Sequence, residues 1–420
     1  MTKKLNGRLA TDKCKKDKLM IIDTTPLYFT GNIKWYKSIV TSLLIYIYAL
    51  ITPLYAVSSE ELTFISSEER SGKVQTVLGL VEPESLGITI THEHLIADGS
   101  AVWFSEPEGE IEMKMAYEPV SMKNLWWVRF NRFSNLDNFR LTEEREAIKE
   151  AIMFKEAGGG TIVDLTTNGH GRDPVKLKHV GQATGVNVIM ATGWYIAASH
   201  PDELSEMSEQ EMTERMVRDI TVGVGNTGIR AGIIGEIGCS VPLHDTERRI
   251  LHAAVAAQRQ TGAPLNIHPS PIEKGLLENI QILENAGADP GRTIISHVDG
   301  GGFKIDTLKK LAKAGYYLEF DTFGYVHWMR TKAWNTFLPN DAQRIEQIME
   351  LIADGYLEKI LISHDIYFKD VRSAYGGHGT SHILRNIVPA MRAKGITEEQ
   401  IHKILVENPK RILTFVPPEG

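Results

Sequence analysis

Thiols are nearly missing from this chain of 420 residues, which has two cysteines, Cys14 and Cys239, far apart in sequence. A disulfide framework is therefore excluded from the main body, and cysteine-rich metal sites go with it. Positive charge is also scarce: 46 Lys and Arg stand against 53 Asp and Glu, a net charge of −7. Nucleic acid is thereby excluded as a partner, because phosphate binding needs a basic surface. The chain has no Asn-x-Ser/Thr acceptor, and its body has no repeat and no phosphate-cradling glycine loop. Gly300-Gly301-Gly302 is too short and wrongly spaced to serve as one.

Long apolar runs are absent with one exception, IVTSLLIYIYALITPLYAV from Ile39 to Val57, which contains no charged residue and has about the length needed to cross a bilayer. Lys13, Lys15, Lys16, Lys18, Lys34 and Lys37 precede it, and Glu60 and Glu61 follow. If the run inserts, this bias predicts a cytosolic amino terminus with the body outside. A signal peptide cut near Ala56 or Ser58 is a second reading, and an extension on a cytoplasmic enzyme is a third. The absent glycosylation acceptors and the split cysteines weigh against export. Residues 1–70 are thus set apart as an extension and residues 71–420 as the folded body.

The body's content, 42% hydrophobic and 24% charged residues with 36 glycines in the whole chain, is that of a compact α/β protein. Eight short runs rich in β-branched and aliphatic residues read as strands: Gly87–Thr91, Gly160–Leu165, Asn187–Ala191, Ala231–Glu236, Pro264–Ile267, Thr293–Ser296, Tyr316–Phe320 and Lys359–Ser363. Helical spacing fills the gaps, as in Leu141–Ala157, Asp245–Gln260, Pro271–Ala286, Lys304–Ala314 and Asp341–Ala353. Near-continuous apolar strands joined by helices imply a parallel sheet covered on both faces. Eight such units predict a (β/α)8 TIM barrel, whose chemistry gathers at the C-terminal ends of the strands.

Metal-binding side chains stand at those ends. His92 and His94 close strand one, Glu236 strand four, His268 strand five, His297 strand six and Asp365 strand eight. In a strand, successive side chains alternate, so His92 and His94 share one face and Glu93 takes the other. An isolated His-x-His is weak evidence; its combination with donors at four later strand ends is not. Imidazole and carboxylate suit zinc and its neighbours, and two divalent metal ions would be held.

These segments, with Ser71-Gly72-Lys73-Val74-Gln75-Thr76-Val77-Leu78-Gly79, Gly232-Ile233-Ile234-Gly235-Glu236-Ile237-Gly238-Cys239 and Tyr375-Gly376-Gly377-His378-Gly379, carry a resemblance. The chain resembles the phosphotriesterase family of the amidohydrolase superfamily, and within it the animal phosphotriesterase-related proteins. The resemblance implies that His92, His94 and Asp365 bind a buried metal, that His268 and His297 bind a more exposed one, and that Glu236 bridges them. It also implies that the two ions acidify a shared water, with Asp365 as catalytic proton shuttle. The founding enzymes bridge their metals with a carboxylated lysine; a glutamate supplies that carboxylate directly, so assembly needs no bicarbonate. Where they have paired aspartates, only Asp299 matches here.

The same branch is associated with hydrolysis of N-acetyltaurine and related small N-acyl amino acids, which makes a small molecule of that kind the expected substrate. Phosphotriester or lactone hydrolysis is the alternative, and a non-catalytic metal-binding barrel the rival of another class. A homodimer is left open. Tyr195 after strand three resembles in position the aromatic wall of the family's pocket. His170 and Arg172 after strand two are further candidates for substrate contact, with Lys369 and Arg372 as other cations near strand eight. The long connection Ile96–Arg140 is expected to carry short helices and border the pocket. Asn408-Pro409 reads as the start of a closing helix, with Asn408 as cap.

Overall fold

Eight apolar runs form eight parallel strands because both of their faces are buried. They are β1 (Ile88–Glu93), β2 (Gly159–Asp164), β3 (Asn187–Thr192), β4 (Ile233–Gly238), β5 (Leu265–His268), β6 (Thr293–Ile295), β7 (Tyr317–Phe320) and β8 (Ile360–Ile362). Each pairs in parallel with the next, in sequence order. This computed structural model describes residues 62–300, 302–326, 328–330 and 335–419. The hydrophobic run at 39–57 and most of the extension lie outside the described residues. Among the described residues no helix is long and apolar enough to cross a membrane.

The join between β8 and β1 is made differently. The Ser363 hydroxyl accepts from the His92 N–H (3.0 Å) and donates to the His92 carbonyl (2.7 Å), which also accepts from the Asp365 N–H (3.1 Å). Side chain and backbone together close the ring where a ladder would otherwise run. Pairing registers slip between Ile90 and Glu93 in β1 and between Ile234 and Ile237 in β4. Both irregularities sit where a metal-binding candidate leaves its strand, and such bulges re-aim side chains.

Between successive strands, one long helix each covers the outside among the described residues: α1 (Glu144–Glu156), α2 (Pro174–Thr184), α3 (Glu209–Thr221), α4 (Asp245–Thr261), α5 (Glu273–Ala286), α6 (Ile305–Ala314) and α7 (Asp341–Ala353). Local signals start and stop them. Asp173 caps α2 through the Lys176 N–H with Pro174 in the first turn, and Ser208 and Glu211 form a capping box on α3. Gly262 ends α4 at φ 69°, and a Cβ there would stand 1.8 Å from the Val416 carbonyl oxygen. Only glycine meets both demands.

The closing element, α8, begins earlier than the sequence suggests. Thr397 is its cap, and Glu398–His402, a π-helical Lys403–Glu407 and Asn408–Leu413 follow in turn. Asn408 is no cap: its buried amide donates to the carbonyls of Leu357 and Ile360 at 2.8 Å each. Pro409, which offers no N–H, directly follows the widened turn.

Inside the barrel Val163, Leu165, Ile189, Ala191, Ile233, Ile294, Tyr317 and Leu361 pack with Ile412 and Leu413 of α8. An antiparallel hairpin, Val74–Thr76 with Gly79–Val81, covers the N-terminal mouth, the Val77 N–H donating to the Val188 carbonyl. Residues 62–72 are tied down as well, by Ile65 N–H to the Thr221 carbonyl and Gly72 N–H to the Phe415 carbonyl. The connection after β1 carries Ser100–Trp103, Glu110–Tyr117 and Leu125–Val128 as short helices. With one mouth plugged by aliphatic side chains, polar chemistry is left to the other.

Candidate metal centre

All six expected donors meet at the C-terminal mouth. His92 and His94 face the centre from β1, while Glu93 points the other way. Its carboxylate lies 2.9 Å from the Ser363 hydroxyl and accepts from the backbone N–H groups of His364 and Ile366. The His364 ring also donates to it, at 2.6 Å. Glu93 and His364 thus hold the wall behind the site.

Glu236 stands among the imidazoles. Its Oε1 lies 3.4 Å from His94 Nε2, and its Oε2 lies 3.1, 3.3 and 3.6 Å from His268 Nδ1, His297 Nε2 and His92 Nε2. Asp365 Oδ1 is 3.1 Å from His94 Nε2 and 3.7 Å from His92 Nε2. Among the described residues three overlapping donor groups result, His92 with His94 and Asp365, His92 with Glu236 and His297, and His92 with Glu319 and Asp321, and His268 adjoins the second through Glu236. The Asp365 side chain is 23% exposed and the Glu236 side chain 4%, so of the two carboxylates Asp365 is the one presented to the cleft.

Two of the donors occupy costly backbone. His297 (φ 54°) and Asp365 (φ 50°) are the two non-glycine residues in the left-handed region among the described residues. Each such conformation costs about 1–3 kcal/mol and persists only where the surroundings enforce it.

The sequence reading missed the carboxylates behind the imidazoles. Asp321, just past β7, accepts from His297 Nδ1 (2.9 Å) and from the His297 N–H, and lies 3.1 Å from His92 Nδ1. Glu319, one strand period earlier, accepts from His92 Nδ1 (3.1 Å), Asn266 and Ser296. A carboxylate on Nδ1 fixes the tautomer and frees Nε2 as a ligand. His92 Nε2 is such an atom, buried without a hydrogen-bond partner. The residues present fit a pair of divalent cations: nitrogen and oxygen donors, an orphaned ligand atom and tautomers already set.

The electrostatics match. Burial pulls the imidazoles of His92 and His297 down, yet Glu236 with Asp321 holds His92, and Asp321 with Glu236 holds His297, well above the ordinary value. His94 is likewise raised to about 9, by its bonds to Asp365 and Glu236 against burial. Burial and the charge of His297 lower His268. Burial would raise Asp321, but His297 and His92 keep it well below the usual carboxylate range. Acidic surroundings gather positive charge here.

A cleft of about 610 Å³, counting space open to solvent, lies over the donors, and Trp103, Phe133, Tyr195, Tyr325, Tyr367 and Phe368 supply its aromatic lining. Tyr195 is where the sequence placed it, its hydroxyl 3.1 Å from His268 Nε2. His170 is not on the lining; it is buried behind Tyr195, ring centroids 4.3 Å apart. Burial, aided by His94 and His268, brings its pKa down to about 3. Arg172 is not on the lining either: its side chain is buried against Asp219 (3.1 Å) and the Ala191 carbonyl. Lys369 pairs with Asp137 and Arg372 with the carbonyls of His94 and Leu95. Asp299 is held by Arg344 at 2.7 Å and by Thr322, not by a donor. The long connection does border the cleft, through Trp103 and Phe133.

Residues 72–413 match the model of the phosphotriesterase family. The chain belongs to that family. N-acetyltaurine hydrolase of Xenopus tropicalis is 45% identical over 348 residues, 82% of this chain and 99% of that protein. Among solved structures, a resiniferatoxin-binding protein from Rhodobacter sphaeroides superposes with a TM-score of 0.79 at 33% identity, covering 82% and 95% of the two chains. A phosphotriesterase homology protein from Escherichia coli, complexed with phosphate in its active site, follows with TM-score 0.64, 27% identity and coverage of 78% and 99%. Phosphotriesterase-family proteins are binuclear metal enzymes, and this chain is a metal-dependent hydrolase.

Proposed function

We propose that this hydrolase cleaves the amide of small N-acyl amino acids, N-acetyltaurine among them, with zinc as its metal. One observation carries the reading: all six donors converge, His268 through its 3.1 Å approach to Glu236, with Asp365 turned toward the cleft, in a chain aligned over nearly the full length of relatives named for that amide. Zinc is favoured by a set of imidazoles and carboxylates with no thiolate.

His92, His94 and Asp365 would hold one cation, His268 and His297 the other, and Glu236 both. Bound there, the pair supplies an acidified water and a Lewis acid for the scissile carbonyl. Asp365 takes the proton of the attacking water and passes it to the leaving nitrogen. Tyr195, Trp103 and their aromatic neighbours orient the substrate and keep other water out.

The test is a screen of N-acetyltaurine, other N-acyl amino acids, lactones and phosphotriesters on the metal-loaded full chain, alongside Glu236→Ala. Wild type should release taurine from N-acetyltaurine and the variant should not. Turnover confined to lactones or triesters would overturn the substrate, and equal rates in both proteins would overturn the site. Metal analysis should find two zinc ions per chain.

A further inference from the structure

Asp365 has to stay in a left-handed conformation while presenting its carboxylate to the cleft, and besides its own N–H on the His92 carbonyl two further arms hold it. One is Glu93, which binds the N–H groups on either side of it, those of His364 and Ile366. The other is Tyr325, whose hydroxyl donates to the Asp365 carbonyl at 2.7 Å. We infer that Tyr325 is a positioning residue for Asp365, its hydroxyl fixing the carboxylate and its ring serving as a wall for the substrate.

Tyr325 is itself immobilised from four directions. Its carbonyl accepts from Arg344 Nη1 (2.8 Å), a guanidinium buried on α7 and anchored by Asp299. The Tyr325 N–H turns back to the Thr322 carbonyl (3.1 Å). The Arg132 guanidinium lies 4.9 Å from the ring centroid and is held by Asp370 at 2.8 Å. Next to it, Gly324 (φ 89°) rests on the His378 ring, which a Cβ would approach to 2.4 Å. The Tyr-Gly-Gly-His-Gly segment after β8 thereby acquires a role, with His378 as the floor under the turn that aims Tyr325. A ring held so firmly transmits its fixed position, through one hydrogen bond, to the residue that moves the proton.

The inference rests on the two-metal reading for its catalytic meaning, but its geometry can be tested without metal. In the metal-free full chain, Tyr325→Phe should exchange the amides of segment 363–368 about tenfold faster, the effect of one lost buried hydrogen bond. Tyr317→Phe is the control, because it removes another buried hydroxyl, one that accepts from Arg411 Nε. It should leave the segment unchanged. On zinc titration, Tyr325→Phe should bind several-fold more weakly. With N-acetyltaurine its kcat should fall while KM holds, the ring being intact. Unchanged exchange at 363–368, or the same acceleration in Tyr317→Phe, overturns the inference. A wild-type chain that takes up no metal overturns the two-metal reading instead, and the exchange result still decides the clamp.

Discussion

Asp321 touches no expected ligand atom of the metals, yet it takes hydrogen bonds or close contacts from the far nitrogens of two ligands, His92 and His297. Both imidazoles belong to the proposed ligand set, so one carboxylate sets the orientation of two of its members. Asp321→Asn should therefore keep the fold and lower zinc affinity about ten- to one-hundred-fold. A chelator competition assay with a melting curve beside it would show this; undiminished affinity would reduce Asp321 to a packing role. The residue was within reach of sequence reasoning. In Tyr317-Leu318-Glu319-Phe320-Asp321 two acids share one face of an apolar strand, the same alternation that exposes His92 and His94. Arg172 is the opposite case, since its partner Asp219 lies on α3, too far along the chain for any local pattern to disclose.

Among elements, α8 shows most clearly where sequence signals stop. Asn-Pro is a common way to begin a helix, and locally nothing distinguishes Asn408 from a cap. What decides is tertiary: the carbonyls of Leu357 and Ile360, at the foot of β8, have Asn408 as their donor. Asn408→Leu removes both bonds at once; the Leu357 carbonyl keeps the Ile360 N–H, so the loss should cost about 1–3 kcal/mol in all, most of it at the Ile360 carbonyl. Urea unfolding would report that as an earlier midpoint at unchanged slope, and a neutral result would mean that water reaches the gap. The strands were legible almost to the residue, because burial of both faces forces a continuous apolar run. Bulges in β1 and β4 left no trace in composition, since a slipped register changes pairing and not residue type.

For the molecule as a whole, the raised imidazoles couple metal, protons and stability. With metal absent, His94 holds its proton up to about pH 9, and His92 and His297 are raised as well. Groups raised on folding stabilise fully below the unfolded imidazole value, near 6.5, and that contribution is lost as pH climbs through the folded value. The metal-free chain should thus lose melting temperature between about pH 6.5 and 9, whereas zinc, which must displace those protons, should bind more tightly over the same interval. Calorimetry in buffers of different ionisation enthalpy should show at least one proton released per chain near neutrality. A melting temperature that rises with pH in the metal-free protein would contradict this.

The alternation of strands and helices made the barrel readable, but not the means of its closure. Seven of its eight joins are backbone ladders, and the eighth depends on the Ser363 hydroxyl and the Asp365 N–H, both bonded to His92. That joint, the one without a ladder, is flanked by two of the six donors. A cation gripped by His92 and Asp365 at once would rivet the first stave to the last. Chelation should then let the cylinder gape along a single line, making catalytic competence and mechanical closure one event.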